Sequence, residues 1–394
     1  MSDAHPQPPL WPLYLGGFLG PFGGAIVSTM LPEMAADLQV SVPSVSTSLS
    51  AYLLPFAAAM LVSGTLAERL GRRRTVQVGY IVYALSSIGC ALAPNLQLFL
   101  LLRVVQGVSN AFTTPVLAAA ITDQVPPQRL GRSLGMFGAT QAVGQAMSLL
   151  LGGLAASFRW QSAFIVIGVL SAVLALLPPA DAPARADQRP GRWRALATRQ
   201  LLVASTIALL AFLTTIGMAV VGALYVRDEY HLSPFAAGLV VASFGVAGLA
   251  TGRWSGSLLD RHPRLLVGSA AHALLGGLCV LAGLSTLAGP VLGLVLAVVL
   301  IALAGVASAA ARSMAQTLSV TAAPENRSGA SSVMLACQYT GGALVPFTWV
   351  PIYHLHTATN PHLLALSLAG VSSLVAGALL LVLGRRGFAA SPAS

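Results

Sequence analysis

An arginine and three neutral polar residues share one face of a single apolar segment. The residues that follow Arg103 on this face, three, seven and eleven positions later, are Gln106, Asn110 and Thr114. An arginine in such a segment must face a cavity or a polar partner, because its charge is strongly disfavoured in hydrocarbon. We therefore expect the stripe to form the polar wall of a cavity that can bind an anionic or polar group. The alternative is that Arg103 only ties its helix to backbone carbonyls of the first helix.

Other apolar segments also carry isolated polar side chains. These are Gln141 and Gln145, one helical turn apart, the single Arg312, and the neighbouring pair Gln338 and Tyr339. Inside a membrane such groups either contact a ligand or hydrogen-bond a neighbouring helix. The sequence leaves both interpretations open, and we take these residues as candidates for the same cavity.

The acidic residues lie outside the apolar segments or at their ends, so neither Arg103 nor Arg312 has an acidic partner within its segment. The cavity is therefore predicted to be electropositive and to prefer neutral or anionic solutes over cationic ones. Proton coupling would have to use an acid near a helix end, such as Glu33 or Asp123.

Several kinds of chemistry are excluded by residue type. All 21 basic residues are arginine, and a chain without lysine cannot contain the phosphate-binding loop G-x-x-x-x-G-K-[ST]. The three cysteines lie far apart in apolar runs without metal-site spacing, and the histidines are scattered. We therefore predict that the chain is not an enzyme and uses neither ATP, a metal nor another cofactor.

The composition is that of a membrane protein. Of the 394 residues, 56% are hydrophobic and 8% are charged, whereas about a quarter of a soluble domain is charged. Twelve apolar segments are long enough to cross a bilayer, and they must be helices because backbone groups in hydrocarbon need partners within their own segment. They lie at residues 11–31, 45–66, 76–94, 97–121, 133–155, 162–178, 201–224, 235–258, 265–286, 290–317, 329–352 and 362–384.

The arginines are divided unequally between the two sides of these segments. Arg159 and Arg227 fall on one side, and three arginines fall within segments. The other side receives the remaining sixteen: Arg69, Arg72, Arg73, Arg74, Arg129, Arg132, Arg185, Arg189, Arg192, Arg194, Arg199, Arg261, Arg264, Arg327, Arg385 and Arg386. The positive-inside rule then places both termini in the cytoplasm of a cell whose inner membrane holds the protein. It also explains the net charge of +10 without a nucleic-acid partner.

The two halves of the chain carry related motifs. PPQRLGRS at residues 126–133 matches PENRSGAS at 324–331, and GTLAER at 64–69 matches GSLLDR at 256–261. Six predicted segments lie on each side of a polar stretch rich in Pro and Arg. We predict an N-terminal bundle at 1–178, a cytoplasmic linker at 179–200 and a C-terminal bundle at 201–394.

These motifs resemble those of the major facilitator superfamily. GTLAERLGRRR at 64–74 is similar to its loop signature G-x-L-a-D-r-x-G-r-r/k, with Glu68 in place of Asp, and Arg103-x-x-Gln106-Gly107 resembles its motif R-x-x-Q-G. Residues 144–153 resemble the antiporter signature G-x-x-x-G-P-x-x-G-G, although the second Gly and the Pro are replaced. The resemblance covers essentially the whole chain and is to the twelve-helix drug:proton antiporter group.

This resemblance implies an all-α membrane fold of two six-helix bundles related by a pseudo-two-fold axis. Helices 1, 4, 7 and 10 and parts of 2, 5, 8 and 11 would line a central cavity, with Arg103 beside the path of substrate and proton. Glu68 and Asp260 would close the cytoplasmic mouth against helix N-termini of the opposite half, where a carboxylate is stabilising. The gating group consists of Glu68, Arg69, Arg72, Asp260 and Arg261. The alternative is that these charges only flank helix ends.

The resemblance further implies a secondary active transporter that works by alternating access as a monomer in the lipid bilayer. We expect proton-coupled efflux of drugs or metabolites. The alternative is import or facilitated movement of a small organic acid or sugar. Replacement of Arg103 by Ala is expected to abolish flux while leaving the fold intact.

Overall fold

The chain folds entirely into helices and turns over residues 9–179, 196–323, 326–355 and 360–385, the part that the computed structural model describes. The first half contains α1 (Trp11–Ala25), α2 (Leu31–Asp37), α3 (Val42–Leu70), α4 (Arg72–Leu92), α5 (Leu96–Ala111), α6 (Thr114–Gln124), α7 (Pro127–Ala156) and α8 (Gln161–Ala175). The second half contains α9 (Arg199–Tyr230), α10 (Pro234–Arg261), α11 (Arg264–Leu284), α12 (Pro290–Ala322), α13 (Arg327–Ala343), α14 (Val345–Tyr353) and α15 (Pro361–Arg385). Most of the predicted linker, residues 180–195, lies outside the described residues.

The helices agree with the predicted membrane segments. In the described part of the chain, nine helices are long and apolar enough to cross a membrane, and the bent pair Trp11–Thr29 and Leu31–Asp37 makes ten. The other two predicted segments fall short for different reasons. The helix α8 has only 15 residues, and the segment at 329–352 is divided between α13 and α14.

Proline marks three of the helix breaks. The helices α2, α6 and α14 each have a proline at one of their first two positions. A proline has no N–H to continue the hydrogen-bond ladder of a preceding helix, but it fits the first turn of a new one. Each of these segments is therefore interrupted at a position that the sequence determines, and the first one bends by 69° there.

The predicted repeat is visible in how helices approach one another. A Cβ atom at Gly107 in α5 would overlap the carbonyl oxygen of Tyr52 in α3, and one at Gly305 in α12 would overlap the carbonyl oxygen of Phe244 in α10. Gly107 and Gly305 are equivalent positions of the two halves. Only a glycine allows the two backbones to touch at these places, so the two bundles use the same helix contact.

The contact between α7 and α10, which belong to different bundles, differs between the two ends of the molecule. We define the linker end by the junctions near residues 71, 126, 196 and 262, and the far end by those near residues 94, 158, 232 and 289. Near the far end, a Cβ atom at Gly153 in α7 would lie 2.5 Å from the carbonyl oxygen of Pro234 in α10.

Towards the linker end the same two helices separate. A Cβ atom at Gly138 in α7 or at Gly252 in α10 would have no heavy atom within 4 Å. At α7 and α10 the two bundles are therefore closed against each other towards the far end and separated towards the linker end.

An ion pair also joins the bundles at the far end. Nη1 of Arg227 in α9 donates to Oε2 of Glu33 in α2 over 3.0 Å, and Nη2 contacts the other carboxylate oxygen. A paired fork of this kind adds geometric specificity to the charge attraction. The next acid along the chain, Asp37, instead accepts hydrogen bonds from Trp160 and Gln161 within its own bundle.

Candidate functional site

A cavity of about 620 Å³ lies between the two bundles. Its walls come from α1, α3, the α5–α6 segment and α7 on one side, and from α9, α10, α12 and α13 on the other. These are the eight membrane segments that the family resemblance implied. The lining includes Gly138 and Gly252, which have open space beside them, so the cavity continues towards the linker end.

Seven of the nine predicted cavity residues lie in this lining. They are Asn110, Thr114, Gln141, Gln145, Arg312, Gln338 and Tyr339. The structure therefore brings together polar side chains from four membrane segments that are distant in sequence. Their groups are amides, hydroxyls and one guanidinium, which can hydrogen-bond a polar solute from both bundles.

Arg103 and Gln106 do not line the cavity, which corrects the expectation that the whole stripe forms its wall. The Arg103 side chain is 0% exposed. Nη1 donates to the carbonyl oxygen of Gly23 at 3.0 Å and to Oε1 of Gln106 at 2.9 Å, and Nη2 donates to the carbonyl oxygen of Gly24 at 3.3 Å. Arg103 thus makes the contact with the first helix that was its structural alternative.

The position of Arg103 has a physical explanation in the end of α1. Gly23 and Gly24 belong to its last turn, where carbonyls lack intrahelical partners and carry partial negative charge. The guanidinium meets these carbonyls in place of a carboxylate. The ring of Tyr52, which does line the cavity, covers the guanidinium with its centroid 4.3 Å away. Arg103 is therefore sealed behind the wall.

Arg312 is the one charged residue in the described lining of the cavity. Its Nη1 donates to Oε1 of Gln145 over 3.3 Å, so this hydrogen bond crosses from the second bundle to the first. None of the described acidic residues lines the cavity. The predicted electropositive character is thus carried by Arg312 and not by Arg103.

Two aromatic residues of the cavity, Phe56 and Phe212, were not predicted from the sequence. Both contact the predicted Tyr339 edge to face, with ring centroids 4.7 Å and 5.4 Å away. All three line the cavity, together with Gln316, which lies one helical turn after Arg312. The spacing from Arg312 indicates Gln316, whereas nothing in the sequence separates the rings of Phe56 and Phe212 from ordinary core residues.

The predicted gating residues lie at the linker end, and the contacts described for Glu68 and Arg72 are within the first bundle. Glu68 is 54% exposed on its side chain and lies 3.8 Å from Arg72, which also forms an ion pair with Asp123. Arg69 and Arg261 are exposed. The side chain of Asp260 lies outside the described residues. The gating role of this group therefore stays a prediction.

Comparison with known proteins places this geometry in context. A family model described as Major Facilitator Superfamily matches residues 13–346. An uncharacterized MFS-type transporter of Mycobacterium tuberculosis is 34% identical over 175 residues, which are 43% of this chain and 30% of that protein. A multidrug resistance protein B homolog of the same organism is 32% identical over 167 residues, or 41% of this chain and 31% of that protein. The matched stretch is therefore about a third of the length of these relatives.

Solved structures resemble the chain over nearly its full length. A bacterial homolog of the human lysosomal transporter Spinster, in an inward-facing and occupied conformation, gives a TM-score of 0.78 at 18% identity and covers 98% of both chains. A D-xylose–proton symporter gives a TM-score of 0.77 at 15% identity, covering 94% of this chain and 96% of its own. At such low identity the likeness establishes the fold alone.

Proposed function

Because the chain belongs to the major facilitator superfamily, we propose that this multi-pass membrane transporter is a secondary active exporter that moves small organic solutes out of the cell in exchange for protons. Its two units are residues 1–178 and 201–394, joined by the linker at 179–200. They rock against each other as a monomer in the inner membrane and expose the cavity alternately to each side.

One observation carries this proposal. The cavity is lined by both bundles, is open where the bundles separate and is closed where α7 and α10 touch. A site at the interface of two repeats, with access from one side at a time, is the arrangement that alternating access requires. Rocking would close the linker end around Glu68 and open the far end.

The distribution of the arginines predicts which end of the cavity faces the cytoplasm. The linker end carries most of the basic residues, and the positive-inside rule assigns that end to the cytoplasm. A cavity that is open to the cytoplasm can load an intracellular solute. Export of drugs or metabolites is supported by the antiporter-like residues 144–153, where Gly153 forms part of the far-end closure, and this orientation is compatible with it.

Glu33 is our candidate for proton coupling. Its carboxylate is held by Arg227 across the bundle interface, and protonation would remove the charge that makes this pair. A proton that arrives at the far end would thus weaken the contact that keeps the far end closed. Asp123 pairs with Arg72 inside one bundle and has no such link to the conformation.

Import or facilitated movement of a small organic acid is the second candidate function. It is favoured by Arg312, the single charged residue of the described lining, which can bind a carboxylate. The two candidates differ in direction. A proton-coupled exporter moves solute outward while protons move inward, whereas a proton-coupled importer moves solute and protons inward together.

Purified protein in liposomes with an imposed pH gradient tests the proposal. A mixed panel of organic solutes is offered, solute content is measured by mass spectrometry, and an entrapped dye reports proton movement. Solute flux opposite to a stoichiometric proton flux is expected. Flux along with protons would establish import, and flux without protons would establish facilitated movement. If no solute of the panel crosses the membrane faster than in protein-free liposomes, the proposal that this protein is a transporter is overturned.

A further inference from the structure

The hydrogen bond between Arg312 and Gln145 forms the floor of the cavity. On its far-end side lies a separate void of about 20 Å³, lined by the same two residues and by Leu149 and Phe244. This void has room for little more than one water molecule. A solute that enters from the linker end can therefore reach Arg312, whereas the void beyond it is too small for the solute.

Arg312 has unused capacity to bind an anion. A guanidinium carries five N–H donors in a planar fork, and among the described residues Arg312 makes one hydrogen bond, to Gln145, and no ion pair. Arg103 has four such bonds and is sealed from the cavity. Arg103 and Arg312 thus differ, because the first is satisfied by the fold and the second has donors left for a ligand.

From this geometry we propose that the substrate is an amphipathic organic monoanion whose carboxylate is bound by Arg312. The inference rests on the proposed transport function and names its substrate class. A carboxylate fits the guanidinium fork with two parallel hydrogen bonds and replaces the weaker bond to the Gln145 amide. Without an anion, the guanidinium keeps Gln145 as its partner.

The rest of the lining determines the shape and charge of the molecule. Arg312 is the single cation of the described lining, and a carboxylate in a poorly solvated cavity needs such a counter-ion, so we assign one carboxylate to the substrate. Phe56, Phe212 and Tyr339 offer an aromatic cluster made by both bundles, which suits a flat apolar body. The cavity volume is that of a site for one drug-sized molecule.

Matched compounds that differ only in their charged group test this assignment. Naphthalene, biphenyl and decane skeletons are each offered as the monocarboxylate, the carboxamide and the dicarboxylate. Binding to the purified protein in detergent is measured by isothermal titration. For at least one skeleton, the monocarboxylate is expected to bind about tenfold more tightly than either partner, as a charge-assisted hydrogen-bond pair provides.

Substitutions test whether Arg312 causes the preference for the monocarboxylate. Arg312→Gln is expected to bind carboxylate and carboxamide equally, and Arg312→Lys, a second variant that keeps the charge, is expected to retain part of the preference. Arg159→Gln removes the same charge from an exposed residue outside the cavity and is expected to keep the preference.

The outcomes separate this inference from transport itself. The monoanion assignment is overturned if wild-type protein shows no preference among the three forms, or if Arg312→Gln retains the preference. It is equally overturned if the liposomes move only neutral or cationic solutes, in which case the transporter proposal stands. If the protein moves no solute at all, the proposed transport function is overturned, and the substrate assignment that rests on it is overturned as well.

Discussion

Arg103 shows how a buried charge can be stabilised without an acidic partner. Its guanidinium donates to carbonyl oxygens of Gly23, Gly24 and Ser48 and to the amide oxygen of Gln106, and the ring of Tyr52 covers it. Removal of the guanidinium would leave buried carbonyls without donors, which costs more than the bond itself contributes. Arg103 therefore holds the first, second and fourth membrane segments together, and its loss acts on the fold before it acts on a ligand.

We predict that Arg103→Met lowers the free energy of unfolding by about 1–3 kcal/mol, the range for a buried polar group that loses its partner. The measurement is thermal unfolding of purified protein in detergent. Arg159→Met is the control, because Arg159 is exposed at the far end and its removal is expected to leave the transition unchanged. If both variants unfold at the same temperature, Arg103 does not stabilise the fold. Its replacement would then be expected to abolish flux in a protein that remains folded.

The closure of the far end depends on helices that touch through glycine. In α7, Gly153 lies against Pro234 and Gly238 of α10, and no side chain separates the two backbones. Contacts of this kind are favoured in membranes because close approach increases dispersion attraction. They are also easy to disrupt, since any larger residue must push the helices apart.

A leucine at position 153 is predicted to open the far end. Overpacking destabilises a packed interface by about 1–3 kcal/mol, so the open population should rise about tenfold. The measurement is the labelling rate of a cysteine at Gln141 by a membrane-impermeant maleimide added outside, in a background without Cys337. Gly277→Leu is the control, because Gly277 has no heavy atom within 4 Å of its would-be Cβ. An unchanged labelling rate in the Gly153 variant would mean that the far end is closed by other contacts.

At the scale of the whole molecule, the Glu33–Arg227 pair joins the two bundles over 194 residues of sequence. Both side chains are partly exposed, so the pair is worth about 1 kcal/mol, which corresponds to about a fivefold change in a two-state population. It is thus strong enough to bias the conformation and weak enough to be broken in each cycle.

We predict that Glu33→Gln increases the population with separated far ends about fivefold. Spin labels at Phe158 and Leu287, which are 79% and 80% exposed and belong to different bundles, report the distance by pulsed electron paramagnetic resonance. Asp37→Asn makes the same charge change on the same short helix, but its partners Trp160 and Gln161 are within one bundle. A distance distribution that shifts equally in both variants would show a general charge effect.

The orientation of the molecule yields a further prediction. A cysteine in place of Leu70, which is 58% exposed at the linker end, should react with impermeant maleimide only in inside-out vesicles. A cysteine in place of Leu287 at the far end should react only from the outer face of cells. The reverse pattern would place the linker end outside and turn the proposed exporter into one that loads from the exterior.

Hydrophobic runs, repeated motifs and polar stripes in the sequence were enough to predict a helical membrane fold of two bundles and seven polar residues of the cavity lining. The helical period fixes which residues share a face, and burial of apolar surface in the membrane fixes where helices lie. This is why Gln141, Gln145 and Arg312 could be assigned to the cavity before its shape was known.

Tertiary structure alone decided which part of a stripe meets the cavity. Arg103, Gln106, Asn110 and Thr114 share one face, but the bundles are closed at the far end and open at the linker end. Only the part nearer the linker end, Asn110 and Thr114, therefore reaches the cavity, whereas Arg103 is enclosed by the end of α1. A helical period records rotation about one axis, and it contains no information about the tilt between bundles that sets the depth of the cavity.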